Sequence, residues 1–397
     1  MSPVLPAAIA ADREFIQRLT DIRRDIHAHP ETAFEETRTA GIVAAHLERL
    51  GMQVHRGLGK TGVVGTLQGN RPGQRVIGLR ADMDALFIEE ETGLPYASTV
   101  PGKMHACGHD GHTAMLMGAA EKLAQNPDFA GTVHFIFQPA EEGLGGARVM
   151  IEDGLFDLFP CDAVYAVHNN PQRPLGQVIT RSGGFMSAGD TWEVQFHGTG
   201  GHGAMPERSI DPTVPAGQFI ASLGSAISRR VAGTDSAVIS VGHIAAGDYN
   251  SPNIIPPKVT IRGTARTYTP SVRDTVEHMI DALAQGAAAP FDVRVETIYT
   301  RRYPPLVNSP ENVETALIAA SHTVGGDDVN ANATPQGASE DFAFMLEKVP
   351  GAYVMIGNGD GPDSAFVHTP KFNFNDALLP IGIAYWLNLV QAELGQN

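Results

Sequence analysis

The sequence predicts an α/β fold in two parts. A large domain carries a mixed central sheet covered by helices, and a small ferredoxin-like βαββαβ domain is inserted into it. Three observations predict this. Short apolar runs alternate with helical periodicity over the first half of the chain. Near Asp190 the order of elements changes, and after Pro304-Pro305 the first pattern returns. The implied boundaries are 1–186 and 300–397 for the large domain and 187–299 for the insertion. At 397 residues the chain exceeds what one hydrophobic core ordinarily organises.

Apolar residues recur at helical spacing over residues 15–26 and 37–50, and Gly51 is placed to stop the second helix. Buried-strand runs follow at 62–67, 76–79, 133–137 and 163–167, with a helix expected over 113–124. The insertion reads as strand 191–196, helix 212–230, strands 237–242 and 259–267, helix 272–288 and strand 292–299. The large domain then resumes with helix, a strand at 353–356 and a final helix from about residue 378.

The chain is 43% hydrophobic and 18% charged with no low-complexity tract, as expected of a folded protein. A net charge of −16 argues against nucleic acid or an anionic membrane as partner. The opening Met1-Ser-Pro-Val-Leu-Pro lacks the basic and apolar regions of a signal peptide, and no apolar run approaches a membrane span. The expectation is a cytoplasmic protein. Cys107 and Cys161 cannot build a disulfide framework, and Cys161 reads as a buried free thiol.

The densest chemistry lies in Met104-His-Ala-Cys-Gly-His-Asp-Gly-His112, where thiol, imidazole and carboxylate crowd around two glycines. These side chains bind zinc-like metals, and the glycines let the backbone bend so that they converge. In isolation, the stretch reads first as a polar turn before a helix. Its neighbours shift the balance. The strand at 76–79 runs into Arg80, Asp82 and Asp84; that at 133–137 into Gln138-Pro-Ala-Glu141-Glu142-Gly143. The strand at 163–167 runs into His168-Asn-Asn, and that at 353–356 into a Gly-rich loop reaching His368. Open α/β sheets bind ligands outside the carboxyl ends of their strands.

Adjacent carboxylates after a buried strand face different directions, so one of Glu141 and Glu142 can bind metal while the other faces substrate. A carboxylate beside a metal-bound water is a general base for hydrolysis. Two other motifs fail. Gly198-Thr-Gly-Gly-His-Gly203 is followed by Pro206 rather than by a helix, and Gly59-Lys-Thr61 lacks the glycine five places earlier, where Val54 stands. No Gly-x-Ser-x-Gly elbow is present, which counts against a serine hydrolase.

These residues resemble the M20 metallopeptidase family, and within it the amidohydrolase branch of hippurate hydrolases, N-acyl-amino-acid aminoacylases and auxin-conjugate hydrolases. The matching segments are Arg80-Ala-Asp-Met-Asp-Ala-Leu86, Gly102-Lys-Met-His-Ala-Cys-Gly-His-Asp-Gly-His112 and Phe137-Gln-Pro-Ala-Glu-Glu-Gly143. They continue through Gly201-His-Gly-Ala-Met-Pro206, Ser209-Ile-Asp-Pro212, Gly263-Thr-Ala-Arg266, Ser339-Glu-Asp-Phe342 and Phe372-Asn-Phe-Asn-Asp376, in order over nearly the whole chain.

The resemblance implies a site for two divalent metal ions per subunit, held by Cys107, His109, Glu142, His168 and His368. Zinc or manganese is the expected metal, with cobalt or nickel as further candidates. Glu141 matches the general base, and Asp82 an acidic residue that orients an imidazole ligand from behind. The insertion matches a lid and dimerisation domain, through which a homodimer or homotetramer is expected. In it, His202 matches a histidine that reaches a partner subunit's site to stabilise the oxyanion. Asn253 and Arg266 match substrate-contacting positions. Arg266 can pair with a substrate carboxylate or, on an alternating strand, simply face solvent. Phe87 and Glu207 depart from the branch, which usually has proline and histidine there; both bear on substrate fit. His27 and His29 match a structural segment.

The implied reaction is hydrolysis of the amide bond of a small N-acyl-amino acid to a carboxylic acid and an amino acid. Rival readings are a dipeptidase or carboxypeptidase of the same family, and a non-catalytic binding protein on the same fold. The latter should have lost a ligand or the base, and none is missing.

Overall fold

The computed structural model describes residues 3–359, 361 and 364–395. Residues up to Gly183, with Asn308–Thr334 and those from Asp341 onward, form a first unit; Gly184–Val307 with Pro335–Glu340 form a second. After a short helix at Pro6–Ala11, the first carries helices α1 (Arg13–Ala28) and α2 (Thr37–Arg49) and strands β1 (Gln53–Leu58), β2 (Gly62–Gln68) and β3 (Arg71–Asp82). Helix α3 (His109–Gln125) and strands β4 (Ala130–Gln138), β5 (Ala163–Asn170) and β6 (Val178–Ile179) follow. The second unit supplies β7 (Gly189–His197), α4 (Thr213–Arg230), β8 (Ala237–Ala246), β9 (Lys258–Thr267), α5 (Pro270–Ala288) and β10 (Arg294–Tyr303). The first unit resumes with α6 (Pro310–Val324), β11 (Val329–Asn330), β12 (Gly351–Gly357) and α7 (Leu379–Leu394).

The large sheet has the order β1-β2-β4-β3-β5-β12-β6-β11. Its four central strands, β4-β3-β5-β12, are mutually parallel, while β1, β2 and β4 pair antiparallel, so the sheet is mixed. The parallel core places four carboxyl ends along one edge. Val133, Phe135, Ile136 and Phe137 of β4 are all buried, as in a sheet covered on both faces. The edge strand β1 is mostly exposed, so no apolar run announces it.

In the second unit the order β8-β9-β7-β10 is antiparallel throughout, giving the ferredoxin-like arrangement. Strand β7 alternates strictly in burial. Trp192, Val194 and Phe196 face the core, where Trp192 and Phe196 meet Phe219 of α4.

Helix α3 begins at His109, four residues before the expected start. The polar residues His109, Asp110 and His112 of its first turn look like loop residues in sequence, yet all are buried and partnered by protein rather than solvent. Glycines seat this helix closely. A Cβ on Gly118 would lie 2.7 Å from the Ile383 side chain, and one on Gly382 would lie 2.0 Å from the Met115 sulfur, so on each helix a glycine makes room for a side chain of the other.

The expectation that no run approaches a membrane span needs correction. The 19 residues Asp376–Leu394, a 3-10 turn running into α7, are long and apolar enough by length and composition alone, and 67% of their most apolar window is buried within the fold, as in a core helix. Cys161 is free but only half-buried, its thiol 3.4 Å from the Phe159 carbonyl oxygen.

Candidate metal centre

The carboxyl edge of the parallel strands gathers the five expected ligands. Cys107 comes from the loop entering α3, His109 from the first turn of α3, Glu142 from the turn after β4, His168 from the end of β5, and His368 from the loop after β12. Their donor atoms form two groups that share the thiol: Cys107, His109 and His168, and Cys107, Glu142 and His368, each within 4.8 Å. Cys107 Sγ lies 3.4 Å from His168 Nε2 and 3.3 Å from His368 Nε2. His368 Nε2 is 3.0 Å from Glu142 Oε1. The His368 loop is tied to the Cys107 loop by its own N–H, which donates to the Ala106 carbonyl at 2.7 Å.

Hydrogen bonds indicate which imidazole nitrogen His168 and His109 offer. His168 Nδ1 lies 2.7 Å from the Asn169 carbonyl, which can only accept, so Nδ1 carries the proton and Nε2 a lone pair. His109 Nδ1 is 3.2 Å from Asp84 Oδ1, leaving Nε2 buried without a hydrogen bond among the described residues. His112 differs. Its Nδ1 faces Asp82 at 2.6 Å and its Nε2 accepts the Asn169 N–H at 3.0 Å, so no lone pair remains for a cation.

Asp82 was expected to orient an imidazole ligand. It instead bonds His112, and its other oxygen receives Arg80 at 2.7 Å. Asp84 holds His109 and also accepts the Glu142 N–H at 2.9 Å, so one carboxylate fixes two ligands. Asp84 stands in the same Arg80-Ala-Asp-Met-Asp84 run as Asp82, and its two-residue offset from Asp82 was the available signal.

The electrostatics favour a cation. Burial, reinforced by the charges of Glu142, Glu141 and Asp82, pushes the Cys107 thiol well above its usual range. Burial alone would depress His109, but Asp82, Asp84 and Glu142 overcome it and push the imidazole up to about 10. Both shifts report an electronegative pocket that positive charge would relieve. With an unpaired ring nitrogen and a sulfur, nitrogen and oxygen donor set, the residues fit a site for zinc-like divalent ions.

Glu141 and Glu142 diverge as their position implies. Ala140 before them is left-handed (φ 50°), and Gly143 and Gly145 after them are also at positive φ. Glu142 turns to His368, whereas buried Glu141 accepts the Asp341 N–H at 3.3 Å and keeps an oxygen within 4.8 Å of His109. The Asp341 side chain is itself held by Arg80 at 3.0 Å and by Gln138 at 2.8 Å.

His202, Asn253 and Arg266 lie in the second unit. His202 pairs with Ile254 in a two-stranded ribbon, and the Gly203 N–H donates to the Asn253 carbonyl at 2.7 Å, so His202 and Asn253 sit on adjoining segments, both exposed. Arg266 lies on β9, half-buried, its guanidinium 3.1 Å from the Ala265 carbonyl.

The sequence profile of peptidase family M20/M25/M40 matches residues 78–392. The chain is 40% identical over 368 residues to a hippurate hydrolase of Campylobacter jejuni, covering 93% of this chain and 94% of that one. It is 38% identical over 384 residues to an N-acetylcysteine deacetylase of Bacillus subtilis, covering 96% and 97%. Among solved structures, a Bacillus subtilis protein described as a dinuclear metal binding peptidase from the M20 family superposes with a TM-score of 0.82. It is 35% identical, and the match covers 96% of this chain and 98% of that one.

Proposed function

The chain belongs to peptidase family M20/M25/M40, and from that premise we propose that it hydrolyses the amide bond of small N-acyl-amino acids, yielding a carboxylic acid and an amino acid. The observation that carries this reading is the pair of ligand groups sharing Cys107, with Glu141 beside His109. Cys107, His109 and His168 would hold one divalent ion and Cys107, Glu142 and His368 a second. When bound, such ions supply Lewis acidity to a carbonyl and bring the pKa of a water from 15.7 toward roughly 7.

The remaining steps belong to the chain's own groups. Glu141, fixed by the Asp341 N–H, takes the proton of the attacking water as the water oxygen bonds to the acyl carbon. It returns that proton to the amine nitrogen as the C–N bond breaks. His202 is assigned to the developing oxyanion, and Asn253 and Arg266 to the substrate, Arg266 pairing with its carboxylate. Hippurate and N-acetylcysteine share an acylated α-nitrogen and a free carboxylate while differing in acyl group, which supports the substrate class rather than one acyl chain.

A panel of benzoyl-, acetyl- and indolylacetyl-amino acids assayed beside dipeptides tests the reading. Faster turnover of the acylated amino acids supports it. Preference for dipeptides would move the assignment to a dipeptidase on the same metals.

A further inference from the structure

Glu36, just before α2, is completely buried and binds three groups. Its Oε1 accepts the N–H of Phe34 at 3.0 Å and of Ala140 at 3.2 Å, and its Oε2 accepts the Thr61 hydroxyl at 2.7 Å. Both backbone donors belong to non-glycine residues in the left-handed region, Phe34 at φ 68° and Ala140 at φ 50°. Such conformations persist only when the surroundings enforce them. The far side of the turn is clamped as well: the Gly146 N–H donates to the Ala140 carbonyl at 3.0 Å, and a Cβ on Gly146 would fall 1.7 Å from the Pro139 oxygen.

Ala140 immediately precedes Glu141, so a change in its φ and ψ would redirect the Glu141 carboxylate, whereas Glu142 is tied separately, its N–H donating to Asp84 at 2.9 Å. We infer that Glu36 is a positioning residue, which holds the Ala140 N–H and thereby fixes the left-handed turn that aims Glu141. The inference rests on the reading of Glu141 as the base. Burial pushes the Glu36 carboxyl up, and three hydrogen bonds rather than a paired cation hold it. A neutral isostere therefore suffices: glutamine keeps one oxygen for the two N–H groups and can donate to the Thr61 hydroxyl.

The test compares Glu36→Gln, Glu36→Ala, Ala140→Gly and the Glu36→Ala/Ala140→Gly double variant. It follows bound metal, urea unfolding, and kcat and KM on N-benzoylglycine and N-acetyl-amino acids. Glu36→Gln should keep kcat within about threefold of the parent. Glu36→Ala should lose at least tenfold in kcat, with KM and metal content within twofold, and adding Ala140→Gly should recover several-fold because glycine adopts the left-handed turn unaided. Ala140→Gly alone should leave kcat within threefold.

Unchanged kcat in a folded Glu36→Ala variant overturns the inference, as does a loss that follows metal content. If Glu36→Ala does not fold, the double variant should; failure of both also overturns it. If the parent hydrolyses none of the panel while Ala140→Gly stabilises the Glu36→Ala background more than the parent, the functional reading falls and the structural link stands.

Discussion

Asp84 stands 3.2 Å from Nδ1 of His109, and the opposite ring nitrogen has no hydrogen bond among the described residues and lies 4.0 Å from Glu142 Oε1. The same carboxylate accepts the Glu142 N–H, so its removal disturbs two ligands at once. Asp84→Asn should leave the fold intact and weaken metal binding about 10- to 100-fold. Chelator competition measures this; unchanged affinity would show that His109 needs no such support.

Glu141 is the group assigned to move the proton, and Glu142 the one assigned to the metal. Glu141→Gln should therefore retain metal and lose about 10²- to 10⁴-fold in kcat. Glu142→Gln should lose metal as well. Single-turnover rates together with metal analysis separate the two, and equal metal loss in both variants would contradict the division of labour.

Gly108 separates Cys107 from His109 at φ 97°, and a Cβ there would lie 2.3 Å from Asn169 Oδ1. Gly108→Ala combines a left-handed penalty with a clash beside His112 and His168. A destabilisation of about 1–3 kcal/mol with reduced metal content is expected. Urea unfolding measures the first and elemental analysis the second.

His27 is buried against Asp110 at 2.9 Å and Glu90 at 3.4 Å. Burial alone would lower its pKa, but the hydrogen bond and charge of Asp110 push it up to about 9. Because the folded value exceeds the ordinary 6.5, the stabilisation is fully present below pH 6.5 and is lost as pH rises through about 9. It amounts to on the order of 3 kcal/mol at most. Urea unfolding at pH 6 and pH 9.5 should show a steeper loss in the parent than in His27→Gln; parallel losses would remove His27 as the source.

The fold and the ligand set are legible in sequence for the same reason. A parallel core forces uninterrupted apolar runs, and each run ends abruptly in the polar residues that the sheet edge collects. That is why Arg80, Glu141, His168 and the loop to His368 can be read together. Glycines beside Cys107 and His109 mark where the backbone must bend. Asp84 and Glu36 are less legible because their roles are set by hydrogen bonds to distant segments. Nothing in spacing connects residue 36 with residue 140. His112 illustrates the opposite trap: its residue type suits a metal, but Asp82 and the Asn169 N–H occupy both ring nitrogens. The early start of α3 was hidden because burial, not composition, makes its polar first turn helical.

The central claim is that these ligands and Glu141 act together on the amide of an N-acyl-amino acid. Its most direct test is the release of free amino acid from the acyl-amino-acid panel by the protein as purified, after chelation, and after reconstitution with zinc or manganese, with Glu141→Gln in parallel. The account predicts hydrolysis that disappears on chelation and returns with a divalent ion in the parent but not in Glu141→Gln. Hydrolysis persisting in metal-free protein, or a reconstituted parent that cleaves none of the panel, would contradict it.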